Sequence, residues 1–314
     1  MLPEVKEIKL PAGADMALAL EGSTAWWPQK QTPALLPELS PFGPREVYVE
    51  LFNRGETPFD YQIESGASWI QLSSRKGSVQ KEQRVLVGVD WKKVAPGRHR
   101  IPLTITGPKG SRQVVQVQVF QPEARPDPDA GFVESQGYVS MEAEHYSRAV
   151  GTAAIKWQHL PDLGRTAGAM TPMPVTATSQ TPGGSAPHLE YNFHVFTSGD
   201  VQVQAYFSPT LNFNGSDGLR YGISIDDEAP QVINIHPDLG NRPWERSVAD
   251  NIRLLTSRHR LSPGPHVLKY WMVDPGVVLQ KIVVDTGSLK PSYLGPPESH
   301  YKGRSITKKV KAKK

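Results

Sequence analysis

The stretch Tyr138-Val-Ser-Met-Glu-Ala-Glu-His-Tyr146 divides the chain into two halves. Its first residues alternate, with Val139 and Met141 on one side and Ser140 and Glu142 on the other, which is the pattern of a β-strand. Glu142 and Glu144 then place two carboxylates on the same side, where burial without a partner is costly. We therefore expect a strand that opens a domain and whose acids are neutralised by a basic partner or by a bound cation.

Short strands separated by turns fill residues 1–124, before this stretch. Residues 46–52 and 113–119 alternate apolar and polar side chains, and turn residues recur at intervals of about 8–12 residues. About seven such strands predict an immunoglobulin-like β-sandwich, with Trp69 and Trp91 in its core. No catalytic or metal-binding group stands out here, so we expect this domain to be structural.

A Pro-rich connector and a second domain follow. Residues 125–136 are polar with recurring Pro and predict an extended linker. Residues 137–299 contain further strands joined by long loops, which predict a jelly-roll β-sandwich. Within it, the spacing of apolar residues over 244–255 predicts a helix. We expect an all-β chain of two sandwiches in tandem, ending in a basic, disordered tail over 300–314.

The net charge of +4 comes from the C-terminal end of the chain. Seven of the 35 basic residues lie within 302–314, so the remainder holds 28 basic against 31 acidic residues. A body with a small negative charge offers no basic face, and we expect no nucleic-acid partner. The absence of Cys excludes disulfides and Cys-based zinc or redox sites.

Neither a signal peptide nor a membrane segment is predicted. The N-terminal residues lack a long apolar run after a basic start, and no segment reaches the ~18 apolar residues of a membrane span. We expect either a cytosolic protein or a chain that begins inside a longer one, and no membrane partner.

No catalytic residues are predicted. The sequence has no Gly-x-Ser-x-Gly nucleophile motif and no phosphate-binding loop, and its histidines lack the i, i+4 spacing of a helical metal site. The acidic cluster Asp226-Asp227-Glu228 follows a strand and is typical of a hairpin turn. We therefore expect no catalysis by this chain alone.

Carbohydrate binding is the chemistry that the loops of the second domain favour. Aromatic faces stack on sugar rings, while amides and carboxylates bind hydroxyl groups. The alternative for each aromatic residue is a place in the core, and for Asp274 the shaping of a turn. The candidates are Trp157, Tyr206, Asn212, Phe213, Asn214, Trp244 and Asp274.

Three segments resemble the frame of the family 6 and family 35 carbohydrate-binding modules. They are Glu142-Ala-Glu144-His-Tyr146, Pro265-His-Val-Leu-Lys-Tyr270 and Lys281-Ile-Val-Val-Asp285. In those modules the opening and closing strands share a structural calcium. The resemblance implies a calcium site at Glu142, Glu144 and Asp285, with the alternative that these acids face solvent or pair with Arg or Lys. Those modules often have a sugar-contacting Asn before the last strand. This chain has Val278-Leu279-Gln280 there, so it departs from the residues that form their usual cleft.

A longer set of motifs resembles the C-terminal region of glycoside hydrolase family 115, the xylan α-glucuronidases. In the second domain the motifs are Leu163-Gly-Arg165, Ser179-Gln-Thr-Pro-Gly-Gly184, Tyr270-Trp-Met-Val-Asp-Pro-Gly-Val-Val-Leu-Gln-Lys-Ile-Val-Val-Asp285 and Ser292-Tyr-Leu-Gly-Pro-Pro-Glu-Ser299. The first domain contributes Trp27-Pro28, Phe52-Asn-Arg-Gly55 and Val89-Asp-Trp91.

This resemblance implies an accessory role in a longer enzyme. The catalytic carboxylates of that family lie upstream of the matching region, so the chain would pack on the catalytic domains or form a homodimer. The parent would be secreted or periplasmic and would debranch glucuronoxylan. The alternative is a carbohydrate-binding module for xylan, glucuronoxylan or acidic sugars. Apart from calcium, no cofactor is implied.

Overall fold

The computed structural model describes residues 9–127, 131–238 and 240–301. The chain divides into two compact units, residues 1–124 and 125–314. Within the described residues, no helix is long and apolar enough to cross a membrane. The expectation of an all-β fold is confirmed.

The first unit is a sandwich of two five-stranded sheets. Their orders are β2-β1-β4-β8-β6 and β3-β10-β9-β5-β7. The strands are β1 (Met16–Leu20), β2 (Trp26–Trp27), β3 (Ala34–Leu35), β4 (Glu46–Asn53), β5 (Phe59–Ser65), β6 (Ile70–Leu72), β7 (Lys76–Val79), β8 (Glu82–Val89), β9 (Gly97–Thr106) and β10 (Arg112–Gln121).

Alternation in the sequence builds the core of this unit. Every second residue of β10 from Val115 to Val119 is buried, because successive side chains of a strand face opposite sides of the sheet. Trp27 is buried, whereas the neighbouring Trp26 is half-buried, with the Arg54 guanidinium 4.3 Å from its ring centre. Trp69 and Trp91, both predicted in the core, are partly buried and pack against it.

The second unit is a sandwich of a seven-stranded and a six-stranded sheet. Their main orders are β19-β18-β21-β16-β11-β23 and β14-β15-β22-β17-β20, with β13 paired to β16 and β12 paired to β22. The elements are β11 (Phe132–Val133), β12 (Tyr138–Glu142), β13 (Arg148–Val150), β14 (Lys156–Leu160), β15 (Ala169–Met173), β16 (His188–Val195), β17 (Gly199–Phe207), β18 (Arg220–Ile225), β19 (Gln231–Asn234), α1 (Asn241–Ala249), β20 (Arg253–Leu261), β21 (Gly264–Met272), β22 (Leu279–Asp285) and β23 (His300–Tyr301).

Three boundaries differ from the predictions. The predicted linker over 125–136 ends early, because Phe132 and Val133 are buried and pair with β16. The predicted helix over 244–255 ends at Ala249, because the chain turns into β20. The predicted tail over 300–314 begins with β23, which pairs with β11, and its residues 302–314 lie outside the described part.

Strand β12 is buried on both faces. Val139 and Met141 enter the core, as their alternation predicts. Ser140 and Glu142 face the other way and are also buried, because the segment of residues 296–299 covers that face. In this contact the Ser140 hydroxyl donates to the Pro296 carbonyl at 3.2 Å.

A buried ion pair joins β12 to β22. β12 and β22 are antiparallel, and their register sets Glu142 opposite Lys281. The Lys281 ammonium lies 3.0 Å from a Glu142 oxygen and donates to the Pro296 carbonyl at 3.1 Å. The Thr166 hydroxyl donates to the same Glu142 oxygen at 2.7 Å. Of the two ways to neutralise this acid, the structure shows the basic partner.

Replacing Lys281 by Met is expected to destabilise the second unit by about 3–5 kcal/mol, because Glu142 would remain buried and uncompensated. The double variant Glu142→Leu/Lys281→Met should recover most of that loss, since both charges are then removed together. Urea unfolding of the two variants and the parent chain measures both effects. A double variant as unstable as Lys281→Met would contradict this role of the pair.

Candidate functional site

A cavity of about 390 Å³ opens in the second unit beside helix α1, and we call it the α1 cavity. One wall belongs to the loop that joins β17 to β18, and the other is formed by residues just after β19, in α1 and at the start of β20. Its lining residues are Pro209, Thr210, Leu211, Asn212, Phe213, Ile235, His236, Asp238, Gly240, Pro243, Trp244, Ser247 and Arg253.

Two aromatic side chains line this cavity. Trp244 lies in α1 and is half-buried, while Phe213 is 50% exposed. The Phe213 ring packs against Gly276, where an added Cβ would lie 2.4 Å from a ring carbon. Gly276 also has a φ of +79°, a conformation that side chains rarely adopt. A glycine is therefore required at this turn for Phe213 to keep its position.

Polar groups hold the two walls in place. His236 accepts a hydrogen bond from the Leu219 N–H at Nδ1, at 3.2 Å, so its Nε2 carries the proton that it donates to the Thr210 carbonyl at 2.6 Å. The Asn212 amide donates to the Ser216 carbonyl within the same loop. These bonds tie the loop to the end of β19 and give the cavity a fixed shape.

The size and lining of the α1 cavity suit a small polar ligand with an apolar face. Ligand sites in proteins are commonly about 300–1,000 Å³ and combine apolar walls with a few placed polar groups. Aromatic rings offer a flat surface to the C–H groups of a sugar ring, and the amide of Asn212 and the guanidinium of Arg253 offer hydrogen bonds. These groups can therefore bind a ligand.

The structure brings together three of the predicted sugar-binding residues. Asn212, Phe213 and Trp244 line the α1 cavity. Asn214 is exposed in the same loop and does not line it. Loop position and residue type therefore identified part of the cavity.

The other three predicted sugar-binding residues lie outside the α1 cavity and make contacts within the second unit. The Trp157 ring packs against Tyr270, and its indole N–H donates to the Val150 carbonyl at 2.9 Å. Tyr206 is 8% exposed. Trp157 is therefore half-buried against the core, whereas Tyr206 points away from the core and is covered by the segment at Gly295.

Asp274 is 3% exposed and pairs with Arg220 at 2.8 Å. Burial opposes its ionisation, but the hydrogen bonds from Arg220 and Ser179 outweigh this and lower the pKa of Asp274. Asp274 thus anchors the turn before β22, which was the alternative for it.

The three residues predicted to bind calcium do not meet. Glu142 lies opposite Lys281, and Asp285 lies opposite Tyr138, four residues or about 13 Å further along β22. The Asp285 carboxylate instead accepts the backbone N–H groups of residues 287 and 289. Glu144 pairs with His159.

These donors therefore do not fit a shared calcium. The Lys281 ammonium already occupies the carboxylate of Glu142, and Asp285 is committed to its own turn. Within the described residues, no group of three or more acidic or histidine side chains is arranged to hold a metal ion. Strands β12 and β22 are joined instead by the ion pair of Glu142 and Lys281.

One histidine cluster has the connectivity of a catalytic triad, which was missed in the sequence. The Ser257 hydroxyl lies 2.8 Å from Nε2 of His259, and Nδ1 of His259 lies 2.7 Å from the Glu228 carboxylate. Ser257 and His259 are 6% and 5% exposed on the same side of β20. A catalytic serine must be reachable by its substrate, and this serine is buried. The hydrogen bonds of the cluster instead connect the β18–β19 turn to β20.

A second histidine contact links Glu298 to the opening strand. Nδ1 of His145 lies 2.7 Å from the Glu298 carboxylate, which also accepts the Glu142 N–H at 3.1 Å. The hydrogen bond that His145 donates to Glu298 raises the pKa of His145, and the charges of Glu298, Glu144 and Glu142 add to this, against the opposing effect of burial.

Replacing His145 by Gln is expected to cost more stability at pH 5 than at pH 8. A raised folded-state pKa gives stabilisation that is complete below the unfolded value, about 6.5, and is lost as the pH rises through the folded value. Unfolding measured at both pH values tests this.

His194 provides a control of opposite sign. Burial and the neighbouring His266 lower its pKa, so its contribution is lost as the pH falls. His194→Gln should therefore cost less at pH 5 than at pH 8. Equal costs at both pH values for His145→Gln would contradict the ion pair with Glu298.

Comparisons with known proteins agree with the expected relationship. Residues 131–298 match the glycosyl hydrolase family 115 C-terminal domain. No curated protein matches the chain.

Three solved structures illustrate what the chain is similar to. A family GH115 4-O-methyl-α-glucuronidase with specificity for decorated arabinogalactans is 17% identical with a TM-score of 0.38, over 47% of this chain and 17% of that chain. The C-terminal family 6 module of a laminarinase from Zobellia galactanivorans is 14% identical with a TM-score of 0.31, over 47% and 98%. A family 35 module from Clostridium thermocellum is 14% identical with a TM-score of 0.31, over 46% and 97%.

The chain thus spans about a sixth of the length of the glucuronidase that it matches. These similarities are too low to transfer a ligand or an activity. The family match is of another kind, because it covers more than half of the chain with one domain description. The chain belongs to the glycosyl hydrolase family 115 C-terminal domain family.

Proposed function

We propose that this chain is a non-catalytic accessory part of a glycosyl hydrolase that debranches glucuronoxylan, and that its second unit binds carbohydrate in the α1 cavity. The family match supports the accessory role, since it is to a C-terminal domain. The parent enzyme acts outside the cytoplasm, where its polysaccharide is found. The bound sugar belongs to xylan or to one of its branches.

The observation that carries the binding role is the meeting of Trp244, Phe213 and Asn212 at one cavity. An aromatic residue that serves only the core is normally buried, whereas Phe213 is 50% exposed. Burying such a ring against a sugar removes apolar surface from water, which stabilises the complex by about 25 cal/mol per Å². The cavity walls are already held by His236, so little order must be created on binding.

An accessory domain of this kind acts through local concentration. Binding one part of a polysaccharide turns the encounter of the catalytic part with a nearby branch into an intramolecular event. The chain on its own then binds without cleaving. In agreement with this, the triad-like Ser257 is buried.

Replacing Trp244 by Ala is expected to weaken the binding of a glucuronoxylan oligosaccharide about fivefold or more, because stacking on an aromatic side chain contributes about 1–3 kcal/mol. Isothermal titration calorimetry on the full chain measures the change. Tyr293→Ala is the matched control, since Tyr293 is 66% exposed and lies outside the cavity. Undiminished binding by Trp244→Ala, or no binding by the parent chain at millimolar oligosaccharide, would contradict the proposal.

A second role, packing on the catalytic part of the same enzyme, has its own observation. Tyr293 and Leu294 are 66% and 49% exposed, and Leu254, on β20, is 45% exposed. They are neighbours, because Leu254 lies opposite Tyr206, and the Tyr206 ring lies against Gly295. The Arg165 guanidinium lies 4.2 Å from the Tyr293 ring centre and orients it. We call these three apolar residues the Tyr293 patch.

The double change Tyr293→Ser/Leu294→Ser should lower the unfolding temperature of the whole enzyme and leave that of the isolated chain almost unchanged. The reason is that exposed side chains contribute little until a partner covers them. Calorimetric unfolding of both proteins tests this. A loss of dimer without a change in unfolding would instead assign the patch to a second subunit, and no effect in either protein would contradict docking.

A further inference from the structure

We propose that Asn214 is a site of spontaneous covalent modification, at which the side-chain amide is lost by reaction with the backbone nitrogen of Gly215. The product changes the loop that forms one wall of the α1 cavity. Its effect on ligand binding therefore rests on the proposed function, whereas the reaction itself does not. Asn214-Gly215 is the one Asn-Gly pair in the chain, and both residues are exposed between β17 and β18.

The reaction needs only water and these two neighbouring residues. The Gly215 nitrogen gives its proton to solvent and attacks Cγ of Asn214, so that an N–C bond closes a five-membered succinimide ring. The Cγ–Nδ2 bond breaks, and Nδ2 leaves as ammonia. Water then opens the ring at one of its two carbonyl carbons. The product is aspartate or isoaspartate, and in isoaspartate the main chain runs through the former side-chain carbon.

The structure leaves both reacting groups free. Within the described residues, neither the side-chain amide of Asn214 nor the N–H of Gly215 has a hydrogen-bond partner. Gly215 has a φ of +64°, and an added Cβ there would meet no atom within 4 Å. Because glycine has no Cβ, nothing hinders the approach of the Asn214 side chain to the following nitrogen.

A similar pair in the same loop, Asp217-Gly218, is held in place. The Asp217 carbonyl accepts a hydrogen bond from the Asn234 amide at 2.8 Å, and the Gly218 carbonyl accepts one from the Ser216 hydroxyl at 2.9 Å. An added Cβ at Gly218 would lie 2.2 Å from the Asn234 side chain. Ring closure requires the backbone between the two residues to rotate, and these contacts oppose that rotation at Asp217.

The remaining asparagines are less suited to the reaction. Each of the other six is followed by Arg, Phe or Ile, whose side chains crowd the attacking nitrogen. Three of them also donate their amides to backbone carbonyls, which fixes the side chain away from the following nitrogen. These three are Asn53, Asn212 and Asn234.

The reacting pair lies inside a turn that shapes the α1 cavity. The Asn212 amide donates to the Ser216 carbonyl and closes this turn around Asn214 and Gly215. Isoaspartate adds one carbon to the main chain within the turn, and either product adds a negative charge beside Phe213. Because Asn212 and Phe213 both line the cavity, a longer turn displaces two of its binding groups. The modified chain should therefore bind its ligand more weakly.

The test begins with prolonged incubation of the full chain at pH 8, followed by peptide mass spectrometry. A mass increase of one dalton should appear first in the peptide that contains Asn214, as a mixture of aspartate and isoaspartate. Isoaspartate is identified by the methyl group that it accepts from protein isoaspartate methyltransferase. A parallel sample at pH 5 should react more slowly, because the attacking nitrogen must first lose its proton.

Asn214→Gln is the matched control, since it keeps an amide but would have to close a six-membered ring, which forms less readily. Calorimetry with a glucuronoxylan oligosaccharide then compares both proteins before and after incubation. The parent chain should lose affinity about fivefold or more, the effect of losing one aromatic contact, while Asn214→Gln keeps its affinity.

Each outcome decides one part of the proposal. An intact Asn214 in a chain whose other asparagines have reacted would overturn it. Reaction at Asn214 with undiminished binding would overturn the effect on the cavity. If the fresh chain binds no oligosaccharide, the proposed function fails, and the mass spectra still decide whether Asn214 reacts.

Discussion

The buried pair of Glu142 and Lys281 is the interaction on which the second unit depends. It connects β12 and β22 across the register that sets these residues opposite one another. Lys281 also donates to the Pro296 carbonyl, so the same charge draws the C-terminal segment over the outer face of both strands. Removing water from two charges is costly, and such a pair is retained only where its geometry is well satisfied. Here Thr166 completes the bonds of the acid.

Alternation was enough to predict the sandwiches, because a strand places every second residue in the core. Val139 and Met141 are examples, and both are fully buried. Local pattern could not show that Ser140 and Glu142 are buried as well, since residues more than 150 positions later cover them. The same limit explains the calcium prediction. Whether Asp285 or Lys281 lies opposite Glu142 depends on a long-range register that spacing within one strand does not contain.

The α1 cavity was predictable in part for a similar reason. Asn212, Phe213 and Trp244 are sugar-binding residue types placed between strands, and they meet at one cavity. Trp157 and Tyr206 have the same chemistry but lie in strands, where Trp157 packs against Tyr270 and Tyr206 lies against Gly295. Arg253 was not predicted, because it fell within the residues assigned to a helix that ends at Ala249. Its position at the cavity wall depends on Ile235 and Ser247, which only the fold brings beside it.

Together these features describe a domain held closed by an internal ion pair, and we propose that its α1 cavity binds a carbohydrate. The most direct measurement is an NMR titration of the full chain with a glucuronoxylan oligosaccharide, following the indole N–H resonances of its seven tryptophans. Binding in the α1 cavity predicts a saturable shift of the Trp244 resonance, while Trp157, whose indole is bonded to the Val150 carbonyl, stays in place. A shift of Trp157 without one of Trp244, or no shift at all, would contradict it.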